Sequence, residues 1–129
     1  MNFMIVGTEW LIDATGCDAA SLCNAVALRG IFSRIIDELD LKVVGEMLWH
    51  QFPEPYGVTG LALLSESHLA CHTYPEYGVA TFNLYCCRER PRWNWEEVLG
   101  ETLKAKNVTV RMIERAAVDL QIKTVGGES

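Results

Sequence analysis

The clearest hydrophobic pattern in the chain is helical and spans residues 24 to 40. Apolar residues recur there at steps of three and four: Leu28, Ile31, Phe32, Ile35, Ile36 and Leu39. This spacing places them on one side of a helix, and Asn24 is a residue type that caps helix N-termini. The pattern predicts a helix from about Asn24 to Asp40 with one buried face.

Apolar segments on either side of this helix predict strands. Phe3 to Ala14 is followed by turn residues and predicts the first strand. Leu41 to Trp49 predicts a second strand. Gly57 to Leu64 is apolar at nearly every position, which is typical of a central strand that is buried on both faces. Alternation from Val79 to Cys86 predicts a strand with one core face and one partly polar face.

A second helix is indicated further along the chain. Asn94 and Glu97 have the spacing of an N-cap and its reciprocal acidic partner, so a helix is predicted over Trp95 to Lys106. Val108 to Ile113 then predicts a last strand. Two helices, each apolar on one side, and five or six strands predict an α+β fold, a two-layer α/β sandwich with both main helices on one sheet face.

The other face of this sheet needs a cover if the strand at 57 to 64 is buried on both sides. A large apolar face is rarely left open to solvent in a monomer. The simplest cover is a second copy of the same sheet, which predicts a homodimer.

Composition narrows the class of protein. The chain has 129 residues, half of them hydrophobic, and a single domain over residues 1–129 is therefore predicted. The net charge of −6 and the absence of a basic stripe exclude a nucleic-acid footprint. No apolar run reaches membrane-spanning length and the start lacks a basic region, so neither a membrane anchor nor a signal peptide is predicted. An odd number of cysteines, five, favours reduced thiols and a cytoplasmic location.

Acidic, basic and nucleophilic side chains are concentrated around Ser67, for which three interpretations are open. Ser67 is a turn residue without a chemical role, or it is a hydrolase nucleophile activated by His68 or His72, although the glycines of a nucleophile elbow are missing. In the third interpretation the Ser67 hydroxyl attacks the carbonyl of Glu66 and converts the peptide bond into an ester. Elimination from that ester produces a new N-terminal pyruvoyl group.

A zinc site is a further alternative, because thiolates and imidazoles are the usual zinc ligands. The candidates are His68, Cys71, His72, Cys86 and Cys87. Their spacing argues against it, since neither thiol pair has the C-x-x-C form. Adjacent cysteines on a strand point to opposite faces, so at most one of Cys86 and Cys87 can face a site shared with Ser67. No metal ligands are therefore predicted.

Several short motifs between residues 56 and 87 are informative when they are taken as one set. They are Gly57 to Gly60, Ser65 to His68, and His72 to Gly78, with weaker matches at Asp13, Gly16, Cys17 and Asp18 and from Trp95 to Val110. In these residues the chain closely resembles the prokaryotic class of S-adenosylmethionine decarboxylases. The resemblance covers most of the chain.

The resemblance implies a proenzyme that cleaves itself between Glu66 and Ser67. The products are a β chain of residues 1–66 and an α chain of residues 67–129 that begins with pyruvate made from Ser67. The pyruvoyl group forms a Schiff base with the amine of a small amino-acid substrate and acts as an electron sink, so no external cofactor is needed. The expected product is an aminopropyl donor for spermidine biosynthesis.

The resemblance also implies roles for individual side chains. His72 assists self-processing, Thr59 supports it where the family usually has serine, and Cys87 returns a proton to the α-carbon of the substrate. Glu76 holds the ribose of the substrate, with Tyr74 at an aromatic position beside it. The family fold pairs an antiparallel sheet with helices and forms a dimer whose active sites lie at the interface.

Two departures from the family pattern concern the substrate. Glu9 stands where many relatives have histidine, and an extra carboxylate favours a cationic substrate group. One additional residue before Tyr56 displaces Phe52 from the position of the family aromatic that contacts adenine. These departures keep open a pyruvoyl-dependent arginine or ornithine decarboxylase on the same scaffold. A non-catalytic, dimerising regulatory relative is the alternative from a different class.

Overall fold

The fold is built on one antiparallel sheet, and the computed structural model describes residues 3 to 119. The six strands are β1 (Phe3–Thr15), β2 (Leu48–Gln51), β3 (Val58–Leu64), β4 (Ser67–Tyr74), β5 (Val79–Cys86) and β6 (Asn107–Asp119). The helices are α1 (Ala19–Leu22), α2 (Ala25–Glu38) and α3 (Trp95–Thr102), with a 3₁₀ turn at Pro75–Tyr77. The strand order is β2-β3-β4-β5-β1-β6.

Both longer helices lie on the same face of the sheet, as predicted. The ring of Phe32 in α2 lies 4.7 Å from the ring of Trp49 and 6.4 Å from that of Phe82 on β5. Phe82 also contacts Trp95 of α3, with 5.8 Å between ring centroids. Because one strand residue contacts both helices, the core is a single layer between helices and sheet, and the α+β prediction is confirmed.

Helix α2 agrees with the prediction from the hydrophobic pattern. The Asn24 side chain accepts a hydrogen bond from the backbone N–H of Ala27 at 3.1 Å, which caps the helix. The helix ends where Asp40 takes a left-handed φ of 53° and the N–H of Leu41 reaches back to the carbonyl of Ile36 at 2.8 Å.

Two predicted elements are shorter in the structure. The strand predicted over Leu41 to Trp49 is wrong in extent, because Gly45 has a φ of 74° and interrupts the extended backbone before β2. The second helix ends before the predicted Lys106, since Lys104 takes a φ of 60°. Asn94 is the N-cap residue as predicted, but its side-chain amide donates to the Glu97 carboxylate, at 2.7 Å, and accepts no hydrogen bond from a backbone N–H.

Strand β6 is longer than predicted. It continues well beyond Ile113 to Asp119, because β1 pairs with it along nearly its whole length, from Thr15 opposite Asn107 to Phe3 opposite Asp119. A partner strand of 13 residues supplies backbone hydrogen bonds that the apolar pattern does not reveal.

The two faces of the sheet differ, and we call them the helix face and the open face. Alternate residues of β4 belong to each: Ser67, Leu69, Cys71 and Thr73 to the helix face, and His68, Ala70, His72 and Tyr74 to the open face. In β3 the open-face residues Leu61 and Leu63 are 45% and 59% exposed. The predicted burial of this strand on both sides is therefore wrong for a single chain, and β3 lies second from the sheet edge rather than at its centre.

The longest helix, α2, has 14 residues. Within residues 3 to 119, no helix combines the length and the apolar character that crossing a bilayer requires.

Candidate active site

Glu66 and Ser67 lie at the tip of the hairpin that joins β3 to β4. Leu64 pairs with Ser67, so Ser65 and Glu66 are the two residues of the turn. On its other side Ser67 pairs with Cys86 at the end of β5. The bond between Glu66 and Ser67 thus lies where the turn enters the strand, at the edge of the hydrogen-bonded ladder.

The Glu66 residue is held at both its backbone and its side chain. Its carbonyl oxygen accepts a hydrogen bond from the backbone N–H of Cys87 at 3.1 Å. Its carboxylate forms an ion pair with the guanidinium of Arg88. An N–H that points at a carbonyl oxygen stabilises the negative charge that develops there when a nucleophile attacks the carbon.

The two adjacent cysteines have different environments. Cys86 is buried on the helix face, and burial raises the pKa of its thiol, although the positive charge of Arg90 and a hydrogen bond with the Ser67 side chain oppose the shift. Cys87 follows the end of β5 and is exposed. The thiol beside Ser67 is therefore that of Cys86, whereas the resemblance gives the proton-donor role to Cys87. The register of Cys86 opposite Ser67 emerges only from strand pairing.

The predicted processing residues Thr59 and His72 form a pair on the open face. The Thr59 hydroxyl lies 3.0 Å from Nδ1 of His72, across the β3–β4 ladder. On the other side of Thr59, His50 of β2 is its partner in the β2–β3 pairing, so His50, Thr59 and His72 lie side by side across three strands. The ring of Phe52 stacks edge-on against His50, with 4.6 Å between centroids. The sequence analysis missed His50, whose position two residues before Phe52 was the available signal.

The structure does not bring His72 and Ser67 of one chain together. They are five residues apart on β4, an odd number, and therefore point to opposite faces of the sheet. At about 3.3 Å per residue their Cα atoms are roughly 16 Å apart along the strand. A histidine at this distance cannot act as a base on Ser67 of its own chain.

The predicted substrate-binding residues lie toward the His72 end of the sheet. Tyr74 is the last residue of β4 and is 41% exposed on the open face. Glu76 lies on the following 3₁₀ turn, where it lines a shallow cavity together with Glu54 and Tyr56. These residues are thus near His72 along the chain and distant from Ser67.

Glu9 lies in an interior strand, on the open face. Its carboxylate accepts hydrogen bonds from the Asn83 amide at 2.5 Å and from the Arg115 guanidinium at 2.6 Å. The hydrogen bond from Asn83, aided by Arg115, holds the pKa of Glu9 below its usual range. The carboxylate is already paired within the chain, and its predicted contribution to substrate binding stays a prediction.

The residues of the zinc alternative are dispersed. His68 is on the open face, whereas Cys71 is buried on the helix face, where burial raises the pKa of its thiol to about 12. Across residues 3 to 119 no three metal-ligating side chains converge.

Comparison with solved structures identifies the class of fold. The chain matches the crystal structure of the adenosylmethionine decarboxylase from Aquifex aeolicus with a TM-score of 0.76 and 26% sequence identity, over 93% of this chain and 98% of that one. The fold is therefore that of an adenosylmethionine decarboxylase.

Residues 8–116 match the family model described as S-adenosylmethionine decarboxylase. The S-adenosylmethionine decarboxylase proenzyme of Acetivibrio thermocellus is 36% identical, over 92% of this chain and 94% of that protein. The proenzyme of the same description from Picrophilus torridus is 34% identical, over 87% of this chain and 85% of that protein. The chain belongs to the S-adenosylmethionine decarboxylase family, whose members use a covalently bound pyruvoyl group formed from a serine.

Proposed function

We propose that this chain is a self-processing, pyruvoyl-dependent decarboxylase of S-adenosylmethionine. In this proposal one catalytic domain, residues 1–129, cleaves itself into a β chain of residues 1–66 and an α chain of residues 67–129. The decarboxylated product is an aminopropyl donor for spermidine biosynthesis. Five free thiols support a cytoplasmic location.

The observation that carries the proposal is the hydrogen bond from the Cys87 N–H to the Glu66 carbonyl. The Ser67 hydroxyl attacks the carbon of that carbonyl, and the Cys87 N–H stabilises the resulting oxyanion. Cleavage of the C–N bond then leaves an ester between Glu66 and the Ser67 oxygen, with a free amine on residue 67. The residues present therefore fit a pyruvoyl group that is made in place from Ser67.

Processing continues when a base removes the Cα proton of residue 67. The Cβ–O bond breaks, Glu66 leaves as a carboxylate, and residue 67 becomes dehydroalanine. Tautomerisation to an imine and hydrolysis by water then release ammonia and leave the pyruvoyl group. This group supplies a carbonyl that binds the α-amine of the substrate as a Schiff base and accepts electrons when carbon dioxide leaves.

The proposed catalytic unit is a homodimer formed through the open face. Five of the apolar residues exposed there are between 41% and 65% accessible: Leu48, Leu61, Leu63, Tyr74 and Ile113. Four charged residues of this face form two ion pairs, Glu9 with Arg115 and Asp13 with Arg111. Covering the face with a second copy would therefore bury apolar surface and leave these four charges paired within each chain.

A dimer of this kind also supplies the missing base. A two-fold axis that lies between the sheets and runs across the strands reverses strand direction, so the Ser67 end of one copy lies over the His72 end of the other. Ser67 is the first residue of β4, at the sheet margin, where a side chain of the second copy can approach it. We therefore assign the Thr59–His72 pair to the processing site of the partner, with Tyr74, Glu76 and Phe52 on the same side.

The proposal is tested by intact mass spectrometry of the purified protein and by carbon dioxide release. The expected masses are two fragments divided between Glu66 and Ser67, the second carrying an N-terminal pyruvoyl group. Carbon dioxide is expected from S-adenosylmethionine in preference to arginine and ornithine. Preference for one of the amino acids would reassign the substrate, and a single uncleaved mass without activity would favour a non-catalytic relative.

We expect Cys87→Ala to cleave but to decarboxylate poorly. Its backbone N–H, which holds the Glu66 carbonyl, is retained, whereas the exposed thiol that would return a proton to the substrate is lost. Loss of a general acid costs typically 100-fold or more in turnover, roughly the effect we expect in kcat. The measurement is kcat on processed enzyme, with Cys86→Ala as the matched control. Full turnover in Cys87→Ala together with loss in Cys86→Ala would move the acid role to Cys86.

A further inference from the structure

A cavity of about 140 Å³ lies beside the hairpin that carries the cleavage site. Its walls come from the loop after α2, the hairpin and the loop after β5: Asp40, Leu41, Lys42, Leu64, Ser65, Glu66, Ser67, Arg88 and Arg90. Three of these side chains are cationic, those of Lys42, Arg88 and Arg90, and two are anionic, those of Asp40 and Glu66. The Ser65 N–H bonds the carbonyl of Lys42 at 2.9 Å, which fixes the loop against the hairpin.

The two arginines of the cavity differ in what they bind. Arg88 is 71% exposed and forms the ion pair with the Glu66 side chain. Arg90, by contrast, has a buried Nε that finds no hydrogen-bond partner in the described part of the chain. Its positive charge acts on the thiol of Cys86, the residue opposite Ser67 in the ladder. A buried donor without a partner is costly and calls for an explanation.

Self-cleavage changes the charge beside this donor. Before cleavage Glu66 carries one carboxylate, which Arg88 neutralises. When the Cβ–O bond of the ester breaks, the bonding electrons stay with the departing oxygen, and Glu66 acquires a second carboxylate at its new C-terminus. Because Glu66 and Arg90 both line the cavity, we expect this second negative charge to form within reach of Arg90.

We propose that Arg90, assisted by Lys42, binds the α-carboxylate that self-cleavage creates on Glu66 and so promotes its departure from the ester. The inference rests on the proposed function and deepens it, since it assigns a residue to one step of processing. Guanidinium binds carboxylate through charge-assisted hydrogen bonds, and stabilising a leaving group lowers the barrier to elimination. In the processed enzyme the same contact retains the end of the β chain.

The experiment follows processing of freshly prepared Arg90→Gln by intact mass and by hydroxylamine treatment. Hydroxylamine cleaves an ester and leaves a peptide bond intact, so it distinguishes protein that holds the ester at residue 67 from unreacted proenzyme. We expect Arg90→Gln to accumulate a hydroxylamine-sensitive form and to complete processing at least tenfold more slowly. Arg90→Lys, which keeps the charge, is expected to fall between this variant and the unsubstituted protein.

Arg92→Gln is the matched control, because Arg92 belongs to the same loop but pairs with Glu96 at 2.6 Å outside the cavity. It should process at the unsubstituted rate. Equal rates in Arg90→Gln and Arg92→Gln would overturn the assignment. Accumulation of a hydroxylamine-resistant precursor in Arg90→Gln would also overturn it, because Arg90 would then act before the ester forms or be needed for folding. If the unsubstituted protein does not cleave, the proposed function itself fails, and this inference fails with it.

Discussion

Ser67→Ala is expected to abolish self-cleavage and decarboxylation together. Alanine has no hydroxyl to attack the Glu66 carbonyl, so no ester forms and no pyruvoyl group is produced. Intact mass spectrometry should show one chain of full length, and carbon dioxide release from S-adenosylmethionine should fall to background. The loss is complete rather than partial, because the same oxygen is needed for processing and the same residue becomes the prosthetic group.

Ser65→Ala is the matched control for this variant. Ser65 lies in the same turn, and its backbone N–H, which bonds the Lys42 carbonyl, is unaffected by removal of the hydroxyl. Normal cleavage is expected in Ser65→Ala. Cleavage between the same residues in Ser67→Ala would exclude the Ser67 hydroxyl as the nucleophile and with it the proposed mechanism.

The second large effect is expected because His72 of one subunit is assigned to the processing of Ser67 in the other subunit: two inactive variants should regain cleavage when they are combined. His72→Ala and Ser67→Ala should each remain uncleaved when produced alone. Produced together they form mixed dimers, in which Ser67 of the His72→Ala chain meets the intact Thr59–His72 pair of the other chain. With random pairing half the dimers are mixed and each holds one complete site, so processed sites should reach about one quarter of the unsubstituted number.

The masses of the two chains identify which one has reacted. Only the His72→Ala chain retains Ser67, so only this chain should be cleaved in the mixture. Absence of cleavage in mixed dimers that have been shown to form would contradict the assignment of His72 to the partner. Cleavage of His72→Ala on its own would exclude His72 as an essential processing residue in either chain.

The sequence by itself determined the elements whose pattern is local. Helix α2 forms where its apolar spacing and Asn24 predict it, since capping and a buried stripe depend on near neighbours in the chain. Strand β5 likewise has the predicted range. The residues between 65 and 87 indicated the self-processing chemistry, because the types of reactive group present, hydroxyl, imidazole and thiol, can be read directly from the sequence. The short strand β2 could not be predicted as it is, since a backbone reversal at Gly45 leaves no hydrophobic signature.

Only the tertiary structure decided which of these groups meet. Strand register places Cys86 opposite Ser67 and Thr59 opposite His72, and register depends on pairing between segments distant in sequence. The same register puts His72 on the opposite face from Ser67, so a motif continuous in sequence is divided between two places in space. The cavity around Arg90 arises because three separate loops converge at one end of the sheet. Sequence fixes what each side chain can do, whereas contacts between strands and loops decide which side chains can do it together.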